Sequence, residues 1–249
     1  MQLKLFGMSV LAIIRIIALF VYFIVVNAVL FLIYLTRPFH RNNVYLAGQF
    51  YSTMTRILGL KIDLRVSSKV DTEQNYVFLA NHQNSYDILT ISKGALPGVV
   101  TVGKKSIKWI PIFGVIYWLS ANIMIDRKNT GSARNTLNET LDKMNKKKLS
   151  IWFFPEGTRS YGRGLLKFKT GAFRLALEAQ KLIVPVCASE MHKKVKLNRW
   201  NNGTVIVEVM DPIELPEGMS ARELAIYFHS IMSTKIDQLN VEAEKLDNA

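Results

Sequence analysis

A histidine and an aspartate five positions apart, His82 and Asp87, lie in the segment Asn81-His82-Gln83-Asn84-Ser85-Tyr86-Asp87. A carboxylate that folds back to one imidazole nitrogen fixes the tautomer and stabilises the imidazolium. The other nitrogen is then left to take a proton from a hydroxyl. This is a His-Asp dyad in need of a nucleophile. A helix N-terminus beside an incidental histidine fits the same seven residues.

A second polar cluster follows an apolar run. Ile151-Trp152-Phe153-Phe154 leads into Pro155-Glu156-Gly157-Thr158-Arg159-Ser160. Gly157 can take dihedrals closed to other residues. Arg159 offers a planar fork suited to a phosphate. Arg163, Lys167 and Lys169 extend the positive charge, and a solvated basic loop is the plainer reading.

Both clusters need elements to place them. Tyr76 to Ala80 reads as a strand that runs straight into His82, and Ile151 to Phe154 as a buried strand that runs into the second cluster. The polar turns then share one sheet edge, where open α/β sheets bind ligands. Further strands are expected at Val99 to Val102, Ile123 to Ile125, Leu182 to Val186 and Val205 to Val209. Ser85 is a candidate cap for the helix that holds Asp87. Other helices are expected from Ser132 to Lys147, from Thr170 to Gln180, and from Ser220 with Glu223 in capping-box spacing. Strands alternating with helices give an α/β sheet covered on both faces.

The first 60 residues differ from the rest. Ile16 to Leu35 is apolar except for Asn27, and a bilayer-spanning helix needs about 20 such residues. Pro38 stops it, and Val44 to Leu60 reads as a second, amphipathic helix. The segment can span the bilayer or dip into one leaflet as a hairpin. A cleaved signal peptide and a buried core helix fit less well. Residues 1–60 are therefore expected to be a two-helix membrane anchor and 61–249 the catalytic domain.

Lys and Arg number 32 against 19 Asp and Glu, a net charge of +13. Such a surplus favours anionic partners without choosing among nucleic acid, anionic lipid and phosphorylated substrates. The single cysteine, Cys187, allows no internal disulfide and sits in an apolar run as a buried thiol. Gly98 to Lys104 imitates a nucleotide-binding loop, but Lys105 stands where Ser or Thr is needed and the middle reads as a strand.

With these residues in view, the chain resembles the glycerolipid acyltransferases. His82 to Asp87 is similar to their HxxxxD motif and Phe154 to Ser160 to their FPEGTRS motif. Gly103-Lys104-Lys105-Ser106, Trp109 to Gly114, Ile125-Asp126-Arg127 and Ile183 to Val186 follow the family's other blocks in order. The resemblance covers about Lys61 to Asp211 and is nearest the bacterial 1-acyl-sn-glycerol-3-phosphate acyltransferases. It implies a mixed β-sheet flanked by helices. It implies that His82 is the general base, that Asp87 orients it, and that the acceptor's own hydroxyl is the nucleophile. Glu156, Gly157, Thr158 and Arg159 would hold the phosphate and glycerol of lysophosphatidic acid, with Arg127 and Lys105 as further phosphate contacts. Trp109 to Gly114 would line the acyl or membrane-facing surface. The donor would be acyl-CoA or an acyl carrier protein thioester, with no metal or other cofactor, and the product phosphatidic acid. Acylation of glycerol 3-phosphate, or of another lysophospholipid, by the same dyad is the alternative. The implied location is the cytosolic side of the bacterial inner membrane. A backbone N–H near the dyad is the expected oxyanion donor. Two non-enzymatic readings remain: a basic module for nucleic acid, resting on charge alone, and lysophosphatidic-acid binding without turnover. The first is disfavoured because the basic residues are not striped with stacking aromatics, so no nucleic-acid partner is expected.

Overall fold

The computed structural model describes residues 10–125 and 130–248, with side chains omitted for 130–137. Seven strands form one sheet in the order β1-β7-β6-β2-β5-β3-β4. They are β1 (Lys61–Val66), β2 (Val77–Ala80), β3 (Val99–Lys104), β4 (Ile123–Ile125), β5 (Ser150–Phe153), β6 (Ile183–Ala188) and β7 (Thr204–Val209). All neighbouring pairs are parallel except β6 with β7. β2 and β6 are buried at every position, as parallel strands covered on both faces must be. This explains their unbroken apolar sequences.

Helices cover both faces. α5 (Gly171–Ala179) and α6 (Ala221–Asn248) pack together, with α6 lying on β6 and β7. Cys187 points to this side, its Sγ 3.9 Å from the Met232 carbonyl. On the opposite side α2 (Asn43–Ser52) packs on the 3-10 turn Ile91–Gly94. Gly94 has no side chain, and a Cβ there would stand 3.3–3.6 Å from Val209, Val207 and Val186. The remaining helices are α1 (Val10–Thr36), α3 (Phe113–Leu119) and α4 (Thr130–Lys146).

The N-terminal region departs from the sequence reading in extent. α1 is longer than the apolar run and begins by Val10. The second helix stops at Ser52, gives way to a 3-10 turn, and reaches Gly59 with φ +65°. α2 has no exposed residue. Its Val44 and Tyr51 share one core with Leu30 and Tyr34 of α1 and with the central strands. Burial against the sheet, rather than against lipid, accounts for its apolar side. Among the described residues α1 is the one helix long and apolar enough to cross a membrane.

Candidate active site

β2 ends at Ala80, and the chain then turns away from the sheet. Its flanks are tied on both sides. The Asn81 side chain pairs with the Ala188 peptide, donating to its carbonyl at 3.1 Å and accepting its N–H at 2.9 Å. Gln83 donates to the Ser189 carbonyl and accepts the Met191 N–H. On the other side the Ser160 N–H donates to the His82 carbonyl at 2.8 Å and the Tyr161 N–H to the Gln83 carbonyl at 2.9 Å. These side chains continue the sheet's pairing after the strand has ended. Asn81 and Gln83 were not singled out from sequence, since nothing local marks a buried amide as a fastener.

The dyad forms as the spacing predicts. Asp87 Oδ2 lies 2.6 Å from His82 Nδ1 and also accepts the Gln83 and Asn84 N–H groups at 2.7 and 3.2 Å. Asp87 is buried. It sits in a 3-10 turn, Ser85–Ile88, rather than in an α-helix, and the cap is Asn84, whose Oδ1 accepts the Tyr86 N–H at 2.8 Å. Ser85 lies one residue too late for that role. The imidazole stacks on Phe154, ring centroids 4.1 Å apart. Nδ1 is thus committed to Asp87, and Nε2 remains for proton transfer. The N–H groups of His82, Gln83, Asn84, Tyr86 and Asp87 all donate already. None of these five is a spare oxyanion donor.

A cavity of about 600 Å³ opens beside this dyad. His82, Gly157, Thr158, Arg159 and Lys104 are among its lining residues. Its apolar walls include Val44, Ile91 and Ala95, all buried, and Ile107, Ile110 and Phe113 nearer the surface. Ile110 is exposed, as are Trp109, Ile112, Val115 and Trp118, so the stretch from Trp109 to Gly114 gives Ile110 and Phe113 to the cavity lining and also leaves apolar side chains on the surface. Gly157 has φ +70°, and the Lys169 side chain stands 2.8 Å from where its Cβ would be. The positive φ favours glycine there, whereas the end of the Lys169 side chain is free to swing aside. Arg159 and Thr158 are exposed, and Arg163 holds their loop by donating to the carbonyls of Ser160 and Arg159.

Glu156 is placed differently from its neighbours in the motif. It is buried, and it lines a separate polar cavity of about 210 Å³ that also touches His82. Burial pushes its carboxyl up, against the backbone N–H groups of His82 and Leu166 that favour the ionised form. Lys105 is exposed at the start of a 3-10 turn and does not line the large cavity, whereas the preceding Lys104 does. Arg127 falls outside the described residues. Among the described residues no group of three or more metal-ligating side chains converges.

The family model described as Acyltransferase matches residues 61–189, more than half of the chain. The chain belongs to the acyltransferase family. The 1-acyl-sn-glycerol-3-phosphate acyltransferase of Haemophilus influenzae is 44% identical over 82% of this chain and 86% of that protein. The enzyme of the same name from Escherichia coli K12 is also 44% identical, over 85% and 87%. In fold, this acyltransferase is similar to the crystal structure of the 1-acyl-sn-glycerophosphate acyltransferase PlsC from Thermotoga maritima. The TM-score is 0.61, at 22% identity, covering 79% of each chain. That likeness bears out the mixed sheet flanked by helices.

Proposed function

We propose that this acyltransferase moves a fatty acyl group from a thioester, acyl-CoA or acyl carrier protein, to the 2-hydroxyl of 1-acyl-sn-glycerol 3-phosphate, giving phosphatidic acid. One juxtaposition carries the reading: the His82–Asp87 dyad opens on a cavity lined both by the cations Arg159 and Lys104 and by apolar Ile91, Ala95 and Phe113. An amphiphile with a phosphate, a hydroxyl and an acyl chain matches that mixed lining. The names of the Haemophilus and Escherichia relatives support the same acceptor.

In the reaction His82 Nε2 accepts the proton of the acceptor hydroxyl as its oxygen attacks the thioester carbonyl. Collapse of the tetrahedral intermediate breaks the carbon–sulfur bond. The departing sulfur takes the proton back from the imidazolium and leaves as a thiol. Asp87 stabilises the imidazolium and holds the ring in register. No protein nucleophile is required. Arg159 pairs with the phosphate, through a fork geometry that a lysine lacks.

The membrane supplies the acceptor, in this reading from the cytosolic side of the inner membrane, and α1 supports association with a lipid surface. Its exposed row of Ile13, Ile17, Phe20, Ile24 and Phe31 is apolar. Trp200 lies at one end, under the Arg15 guanidinium at 5.9 Å, and Trp118 at the other, edge-on to Phe39 at 4.9 Å. Exposed tryptophans favour the interfacial layer of a bilayer.

The test is an acyl-transfer assay on membranes carrying wild-type protein or His82→Ala. Oleoyl-CoA and an acyl carrier protein thioester are supplied as donors, with lysophosphatidic acid and glycerol 3-phosphate as competing acceptors. Phosphatidic acid made by wild type alone is expected. Product from glycerol 3-phosphate only would move the acceptor assignment and keep the dyad.

A further inference from the structure

β2 and β5 pair in a parallel register that sets Val77 opposite Ile151 and Phe78 opposite Trp152. Continued past the strand ends, the same offset brings His82 level with Glu156. Glu156 Oε1 accepts the His82 N–H at 2.6 Å, and Oε2 accepts the Leu166 N–H at 3.0 Å. The His82 carbonyl in turn accepts the Ser160 N–H at 2.8 Å. Both peptide groups of the dyad histidine are thus held by one turn, Pro155 to Ser160.

We propose that Glu156 is a positioning residue for the general base: its carboxylate clamps the main chain of His82 and takes no part in binding the acceptor's phosphate. This rests on the acyl-transfer reading given above.

Three observations carry it. Each carboxylate oxygen faces a backbone donor, so neither needs a ligand. Glu156 is 3% exposed, while Thr158 and Arg159 of the same motif are exposed and line the large cavity. A carboxylate also repels a phosphate and has no proton to offer it. The clamp explains why the position suits an acid rather than an amide. Glutamine would turn an NH2 toward one of the two N–H donors, and aspartate is one methylene too short to span both. Asp87 orients the ring and Glu156 fixes the backbone that carries it. A proton acceptor must stand within hydrogen-bond reach of its hydroxyl, and small displacements are costly in rate.

The experiment compares full-length Glu156→Gln, Arg159→Ala and wild type in mixed micelles of detergent and lysophosphatidic acid. For Glu156→Gln, kcat is expected to fall about ten- to a hundredfold, with KM for both substrates little changed. Arg159→Ala should show the reverse split, a raised KM for lysophosphatidic acid. Proton NMR of the imidazole Nδ1–H provides a readout independent of turnover. The low-field signal of the short bond to Asp87 should shift or broaden in Glu156→Gln and stay in place in Arg159→Ala. A raised KM with kcat and the imidazole signal unchanged would make Glu156 a substrate ligand and overturn the proposal. If wild type transfers no acyl group, the acyl-transfer reading fails, while the NMR comparison still reports on the clamp. Should Glu156→Gln not accumulate in folded form, Glu156→Asp reads the same split.

Discussion

His82 Nδ1 and Asp87 Oδ2 are 2.6 Å apart, and that single carboxylate oxygen also accepts the Gln83 N–H at 2.7 Å. Asp87 therefore does two jobs at once: it fixes the imidazole tautomer and closes the loop on which the imidazole stands. Asp87→Asn would turn an amide NH2 toward one of these donors. Transfer is expected to fall about 10²- to 10⁴-fold, with a lower melting temperature. His82→Ala should abolish transfer with little loss of stability, because the ring is partly exposed and packs mainly on Phe154. Rates and melting curves of the two purified variants check both statements. An active His82→Ala would remove the base from the mechanism.

Ile91 and Ala95, which are 1% and 3% exposed, are among the apolar residues that line the large cavity. If the acyl chain lies there, depth sets chain length. Ala95→Leu should move the preference of the enzyme toward shorter chains, and Ile91→Ala toward longer ones at about 2–5 kcal/mol of stability. Competition among thioesters and lysophospholipids of graded length reads this. Unchanged profiles in folded variants would place the chain elsewhere.

The parts of the site that were legible in the sequence are those set by short-range chemistry. Strands β2 and β5 announce themselves by continuous apolar residues, and each runs into a polar turn. The dyad needs only a five-residue bend. Gly157 reports its own backbone, and Ser220 with Glu223 forms the expected capping box at 2.8 and 3.3 Å. What stayed hidden depends on register between distant segments. β1, Lys61 to Val66, alternates polar and apolar residues as a half-buried strand does, but it lacks the continuous apolar run of the central strands because it lies at the sheet edge and is only partly buried. That Glu156 bonds a backbone 74 residues away follows from the pairing of β2 with β5, which no local pattern encodes. Lys104 rather than Lys105 lines the cavity because β3 continues to residue 104 before the chain turns. One residue of strand length decides which lysine faces inward. The second helix looked amphipathic for lipid because sequence periodicity cannot say what covers an apolar face.

Asp247, near the end of α6, accepts the Thr204 N–H at 2.6 Å and the Lys194 ammonium at 2.8 Å. Burial alone would raise its carboxyl, but Lys194 and the Thr204 N–H together hold it below the usual value. A carboxyl depressed by folding contributes stability above its unfolded pKa and loses it as pH falls through the folded value. The melting temperature of wild type is expected to drop on acidification through and below the ordinary aspartate range. Asp247→Asn should be less stable near neutrality and show a shallower decline there. Equal slopes for the two proteins would mean the pair contributes nothing to folding.

α1 bears on how the enzyme meets its substrate. Arg15 is buried and donates to four carbonyls of one loop, those of Lys196, Leu197, Arg199 and Trp200. Further along, Tyr22 bonds Thr53 at 2.9 Å, Asn27 accepts the Tyr51 hydroxyl at 2.8 Å, and Tyr34 donates to the Asn43 carbonyl. From Arg15 to Tyr34 the helix rises about 28 Å, close to the thickness of a hydrocarbon core. A helix tied to the domain over that whole length cannot cross the bilayer without carrying the domain into it. It should lie in the plane of one leaflet, with its outward row submerged. Nitroxide labels on single cysteines at Ile17, Ile24 and Phe31, one heptad apart on that row, test this in liposomes. Cys187 does not interfere, since it is fully buried and its thiol is pushed up by that burial. An in-plane helix gives the three labels similar, shallow depths by oxygen and nickel accessibility. A spanning helix puts Ile24 deepest and the two ends near opposite surfaces, and that pattern would force the Arg15 cluster and its neighbours to open in the membrane.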